Sequence, residues 1–330
     1  MTLLPGEHPL SLALRELLPG EAPGSGEMLL TPLPSSREVF RITARGRDAA
    51  VVGKFYSAYP PATSADRSLE REYQNYLRAA ALGLTQGPGL IPRLLGRHPQ
   101  TRLGLALEAV PGPDLDQVIA RACHQGEEGQ LHYRLEQLAG LLAAFHNRPL
   151  PEQPVSPEPA LRYFDKLKGQ LQGLGLLTRE DEEALKEERL AWSERLIRFP
   201  DCRVLVHGDA TPTNFLFPDG RVVALDLERL GSGDRLWDLS WVAGELKHAW
   251  GCRRAYLDGA EGAISHFFEA YLQALPGDQA LARRLYRLNP FYMALAELRI
   301  ARNAYLHWEH RLCLVAEARR CLAGGRSLSL

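Results

Sequence analysis

Between residues 204 and 228 the chain carries a carboxylate, an amide and a second carboxylate, each set at the end of an apolar run. Val204-Leu205-Val206-His207-Gly208 leads into Asp209, and Asn214 follows five residues later, ahead of Phe215-Leu216-Phe217. A second apolar run, Val222-Val223-Ala224-Leu225, ends in Asp226-Leu227-Glu228. Mg²⁺ takes hard oxygen ligands in an octahedron and shares itself with phosphate oxygens. Asn214 and Asp226 can supply such ligands. Asp209 then stands clear of the metal to orient or deprotonate an attacking hydroxyl. Gly-Asp alone would be explained as a turn. With Asn214 and Asp226 in register beyond it, the pattern points instead to magnesium-nucleotide chemistry.

These groups need strands to hold them, and the spacing predicts two, over 203–207 and 222–227. Upstream, the first 110 residues read as strands around one long helix. Met28-Leu29-Leu30 is a short strand between loops, and 1–18 is read as a short helix. The runs 39–43 and 49–55 form a hairpin across Arg45-Gly46-Arg47-Asp48. Leu69, Tyr73, Tyr76, Leu77 and Ala80 recur at helical steps, predicting a helix over 69–82 with Gly83 as its C-cap. Residues 94–97 and 102–109 make a second hairpin. After Pro111-Gly112-Pro113 the character turns helical, over 115–122 and 131–146 and again from about Trp237 onward. The proline-rich stretch 148–159 is read as a surface loop, and Thr178 starts a charged helix with Asp181 and Glu182 near its capping-box position. The expected class is α+β, with a β-rich lobe over 1–110 and a large α-rich lobe over 111–330.

The segment H-G-D-x-x-x-x-N followed by D-x-E resembles the aminoglycoside phosphotransferase and choline kinase superfamily. That resemblance implies a protein-kinase-like two-lobed fold and transfer of the ATP γ-phosphate to a hydroxyl of a small molecule, with ATP and Mg²⁺ as cofactors. It assigns catalysis to Asp209 and metal ligation to Asn214 and Asp226. His207 takes the place of a loop-supporting histidine, and Asp238, in Trp237-Asp238-Leu239, that of a buried aspartate bracing the loop. Lys54, late in the strand Val51-Val52-Gly53-Lys54-Phe55, matches a phosphate-binding lysine, and Glu72 its helix partner, with Glu70 as rival. The segment 107–112, including Glu108 and Val110, resembles an adenine-binding connection. The phosphate-covering loop departs from the family's pattern because no G-x-G-x-x-G is present; Pro34-Ser35-Ser36 is the better candidate, with Ser35 and Ser36 near phosphate oxygens. The likeness spans roughly 28 to 245.

Composition narrows the partners. Lys plus Arg number 39 and Asp plus Glu 40, for a formal net charge of −1, so no global field favours nucleic acid or an anionic membrane. No segment is apolar for the roughly 20 residues of a membrane span. The five cysteines, 123, 202, 252, 313 and 321, are widely spaced and form no C-x-x-C pair. Neither a disulfide framework nor a zinc site is expected, and a cytoplasmic setting fits. Arg299 and Arg302 are candidates to meet an anionic substrate or to pair with Glu297. Trp237, Trp241, Trp250, Tyr305 and Trp308 are candidates for a pocket or for core. Two alternatives stay open: a protein Ser/Thr kinase, and a catalytically silent nucleotide-binding pseudokinase. Against the first, only eleven residues separate Asp226 from Asp238, little room for a peptide-docking segment.

Overall fold

The computed structural model describes residues 1–17, 26–34, 38–45, 50–86, 90–275 and 278–328. Its first half carries β1 (Thr2–Leu4), α1 (Pro9–Leu17), β2 (Met28–Pro32), β3 (Val39–Ala44), β4 (Ala50–Phe55), α2 (Ser64–Ala81), β5 (Leu94–His98), β6 (Leu103–Glu108), α3 (Leu115–Gln125) and α4 (Glu128–His146). There follow α5 (Glu158–Gly173), α6 (Arg179–Ile197), β7 (Val204–Val206), β8 (Phe215–Leu216), β9 (Val223–Ala224), β10 (Gly231–Gly233), α7 (Leu236–Arg254), α8 (Glu261–Gln273), α9 (Gln279–Ala301) and α10 (Trp308–Ser327). The contacts divide the chain into two compact units, Met1–Gly112 with Leu216–Leu230, and Pro113–Phe215 with Gly231–Leu330. The N-terminal region is thus built on a sheet and the C-terminal region on helices.

The first unit is an antiparallel sheet in the order β1-β2-β3-β4-β6-β5. Side chains alternate across a strand, so Val51 and Phe55 on β4 join α1 in a core with Leu10, Leu14, Met28, Leu30 and Ile42. Lys54, of opposite parity, leaves by the other face. The helix α2 begins at Ser64, five residues ahead of the apolar spacing that predicts it, with Thr63 as its N-cap. Thr63 and Asp66 close a reciprocal capping box there, and Asp66 also accepts from the Ser57 amide and hydroxyl, both at 2.8 Å. At the far end Gly83 N–H bonds Ala80 O and Leu84 N–H bonds Ala79 O, so Gly83 closes the helix as expected. The predicted N-terminal helix is preceded by a strand, β1, because Thr2–Leu4 pairs with β2.

A single break after residue 110 needs one correction. Residues 216–230 belong with the first unit, because Ala224 N–H bonds Leu90 O at 2.8 Å and the buried Asn75 donates to Leu227 O at 2.7 Å. The strand expected over 222–227 is confined to β9, Val223–Ala224.

In the second unit β7 pairs with β10 in antiparallel register, Val206 opposite Gly231 and Val204 opposite Gly233. The surrounding helices bury Phe164, Trp192 and Phe291; Phe164 stacks on Phe291 at 6.0 Å and Trp192 meets it tilted at 5.5 Å, each Phe contributing roughly 1.5–3 kcal/mol relative to exposure. Among the described residues no helix is long and apolar enough to cross a membrane.

Candidate active site

Lys54 is the fifth residue of β4, and its Nζ stands 2.7 Å from Glu72 Oε1 and 3.3 Å from Asp226 Oδ1. Glu72 is fully buried on α2 and Lys54 nearly so, whereas the Asp226 side chain keeps 37% of its surface. Burial alone would lower the Lys54 pKa, but the attraction of Glu72 and Asp226 outweighs it, and the ammonium titrates above its usual value. The rival Glu70 lies on another face of α2 and is engaged by Arg97 at 2.8 Å and by the Tyr56 hydroxyl at 2.8 Å. Helical geometry chooses between two carboxylates two residues apart. Asp226 has φ 57°, a left-handed conformation that Asp tolerates but that costs about 1 kcal/mol. Asn75 holds the next carbonyl, which fixes the conformation from behind.

In the second unit the loop after β7 hangs on Asp238, in the first turn of α7. Its carboxylate is fully buried and accepts His207 N–H at 2.7 Å and Gly208 N–H at 2.8 Å. His146 Nε2 lies 3.2 Å from the same carboxylate, and His146 Nδ1 lies 2.7 Å from the Tyr271 hydroxyl. Gly208 takes φ 80°, which a side chain would resist. Asp209 N–H then points to His207 Nδ1 at 3.3 Å, and Asp209 O accepts from Asn214 Nδ2 at 2.9 Å and Thr211 N–H at 2.8 Å. These contacts hold the Asp209 main chain, and the residue is half-buried. His207 is buried between Phe145 and Phe215 and serves this loop as a structural group.

Sequence reasoning missed Glu245, one helical heptad after Asp238. It is mostly buried and ion-paired with Arg299, which lies over Trp241 at 5.2 Å. Burial raises the Glu245 pKa, Arg299 draws it back, and Asp209 and Asp116 push it up again. Arg299 therefore pairs with Glu245 and not with Glu297, whose carboxylate is fully buried with neither oxygen hydrogen-bonded. Arg302 bonds Gln170 at 3.1 Å on the surface. The aromatic set separates as well. Trp237 and Trp241 meet at 4.8 Å beside Tyr163, Trp250 is buried, and Tyr305 and Trp308 face solvent. Asp234 was also unanticipated; it takes a bidentate pair from Arg284 at 2.8 and 2.6 Å and a hydroxyl from Tyr292 at 2.6 Å. The signal was there in Gly233-Asp234-Arg235, but its partner lies fifty residues on.

The other expected nucleotide contacts are less engaged. The Glu108 carboxylate ends β6 and is held by Arg93 at 2.8 Å near the surface, and Val110 is half-buried just beyond. Ser35 and Ser36 lie outside the described residues.

The profile of a family described as the Phosphotransferase enzyme family matches residues 30–283. No curated protein sequence matches the chain. Among solved structures, choline kinase from Cryptosporidium parvum superposes with a TM-score of 0.60 at 12% identity, over 96% of this chain and 93% of that one. Plasmodium vivax ethanolamine kinase gives 0.58 at 14% identity, over 90% and 81%. An ADP-bound aminoglycoside phosphotransferase gives 0.56 at 15%, over 90% and 94%. At these identities the likeness is one of fold, and that fold is kinase-like.

Proposed function

The chain belongs to the Phosphotransferase enzyme family, and from that premise we propose that it transfers the γ-phosphate of ATP to a hydroxyl of a small molecule. The observation that carries the reading is Lys54 Nζ clasped between Glu72 and Asp226. A buried ammonium oriented by two carboxylates is a phosphate-binding group with its direction fixed in advance. In the proposed reaction Lys54 grips the α- and β-phosphate oxygens while Glu72 keeps it extended. Asp209 receives the proton of the acceptor hydroxyl as that oxygen attacks, and Asp238 holds the loop that aims it. The backbone of 107–112, with Glu108 and Val110, receives the adenine, and Ser35 and Ser36 cover the phosphates.

Asn214 and Asp226 are the proposed Mg²⁺ ligands. Their chemistry fits: both offer hard oxygens, and the Asn214 nitrogen is already committed to Asp209 O, so its amide oxygen is the end presented to a cation. Bound there, Mg²⁺ would neutralise charge on the phosphate oxygens.

A small acceptor is favoured over a protein substrate. The residues between Asp226 and Asp238 are taken up by a 3₁₀ turn, Leu227–Arg229, and by β10, with no span left for docking a peptide. The neighbours include enzymes named for ethanolamine, choline and glucosamine, so amino alcohols and amino sugars head the acceptor panel.

The test is calorimetric ATP binding with and without Mg²⁺, beside ATP turnover against that panel, for the wild type, Asp209→Ala and Asp226→Ala. The expected result is Mg²⁺-dependent binding that Asp226→Ala weakens, with turnover abolished and binding kept in Asp209→Ala. A wild type that binds no nucleotide with any divalent metal would sink the reading. Binding without turnover on any acceptor would favour the silent pseudokinase.

A further inference from the structure

His248 and Cys252 lie four residues apart on α7 and so share one face of it, and His310 meets them from the first turn of α10. His248 Nδ1 stands 2.9 Å from His310 Nε2 and 3.7 Å from Cys252 Sγ, and the three atoms lie within 4.8 Å of one another. Gly251 makes the approach possible. A Cβ there would stand 2.9 Å from His310 Cε1 and 2.6 Å from Leu257 Cδ2.

We propose that His248, Cys252 and His310 bind a zinc-class divalent cation at a site separate from the phosphotransfer residues. Imidazole and thiolate are the ligands such a cation selects. Zinc bonds of about 2.0–2.1 Å to nitrogen and about 2.3 Å to sulfur place tetrahedral ligand atoms about 3.3 Å apart for N···N and about 3.6 Å for N···S. The Cys252–His248 separation already has that length. The two imidazoles need open by only about 0.4 Å, which exchanges their mutual hydrogen bond for two metal bonds. The neutral imidazole nitrogen is the atom such a cation takes from each histidine. Cys252 coordinates as the thiolate, so binding releases its proton to solvent. Cys252 is exposed, and water completes the coordination. The sequence argued against zinc because it holds no C-x-x-C; the site is instead an H-x-x-x-C step completed from 58 residues further along the chain.

The test strips the protein with a chelator, then titrates Zn²⁺ against a competing chelator and records the absorption of the Co²⁺ form. One equivalent of zinc is expected, with a thiolate-to-cobalt charge-transfer band. Cys252→Ser should abolish that band and weaken zinc binding at least tenfold, and His310→Gln should weaken it similarly. Because Cys252 is exposed, the metal-free Cys252→Ser protein should melt with the wild type, which separates lost ligation from lost fold. Zinc held equally well by Cys252→Ser, or binding that follows Cys321→Ser at the buried Glu297, Glu317 and Cys321 group instead, overturns the proposal. So does the absence of any stoichiometric binding.

Discussion

Two groups with opposite engineering stand behind the proposed chemistry. Around Lys54 the side chains themselves are locked, charge against charge, in a buried setting where the partners of an ion pair depend on one another. Around Asp209 it is the backbone that is seen to be held, through the His207 and Gly208 amides donated to Asp238 and the Asp209 carbonyl receiving Asn214. A group that must stay a fixed charge can be tied by its head. A group proposed to receive a proton can be aimed through its main chain.

This contrast predicts how each region breaks. Asp209→Asn should lower turnover by about a thousandfold, within the range for loss of a general base, with the melting temperature and ATP affinity unchanged. A parallel fall in melting temperature would show that the side chain also holds the loop. Asp238→Ala should behave in the reverse way. It orphans two amides and the contact of His146, so denaturant titration should report a loss of about 3 kcal/mol, with turnover falling because the loop has lost its aim. Glu72→Gln keeps the shape and removes the charge that extends Lys54. The KM for ATP should rise about tenfold, equivalent to about 1.4 kcal/mol, and a change confined to kcat would contradict the locked-head description. Least of all, Thr63→Ala should cost about 1 kcal/mol through the α2 cap.

That cap also carries a pH signature. Burial would raise the Asp66 pKa, but hydrogen bonds from Ser57 and Thr63 outweigh it and hold the carboxyl well below its usual range. Unfolded, the group titrates at about 3.9, so the unfolded chain takes up the proton first. The stabilisation is complete above that pH and is lost as the pH falls further. Asp66→Asn should remove this acid-side slope from urea midpoints measured against pH.

Much of the candidate site could be picked out because its signals are local. The order of Asp209, Asn214 and Asp226 is set within one stretch, and the choice of Glu72 over Glu70, taken from the family resemblance, agrees with the contact to Lys54. The helix cap at Thr63 was equally local, in Thr63-x-x-Asp66, but the apolar spacing that fixed the element begins only at Leu69. Helix α5 went unassigned although Leu161, Phe164, Leu167 and Leu171 recur on its buried face. What could not be read were pairings across long separations: Arg299 with Glu245, Arg284 with Asp234, His310 with His248. Arg299 had a carboxylate two residues away in Glu297, and proximity in sequence named the wrong partner because residues i and i+2 face apart on a helix.

The return of residues 216–230 to the first unit also sets an order of events at the ribosome. The first 112 residues emerge with a gap in them, and the segment that carries Asp226 follows more than a hundred residues later. At synthesis rates of roughly 5–20 residues per second, that interval is on the order of ten seconds. For that time Lys54 and Glu72 exist without their third partner and the Asn75 amide without its acceptor. A nascent chain stalled before residue 216 should therefore be digested by protease within this unit, and one stalled well past residue 230, clear of the exit tunnel, should resist.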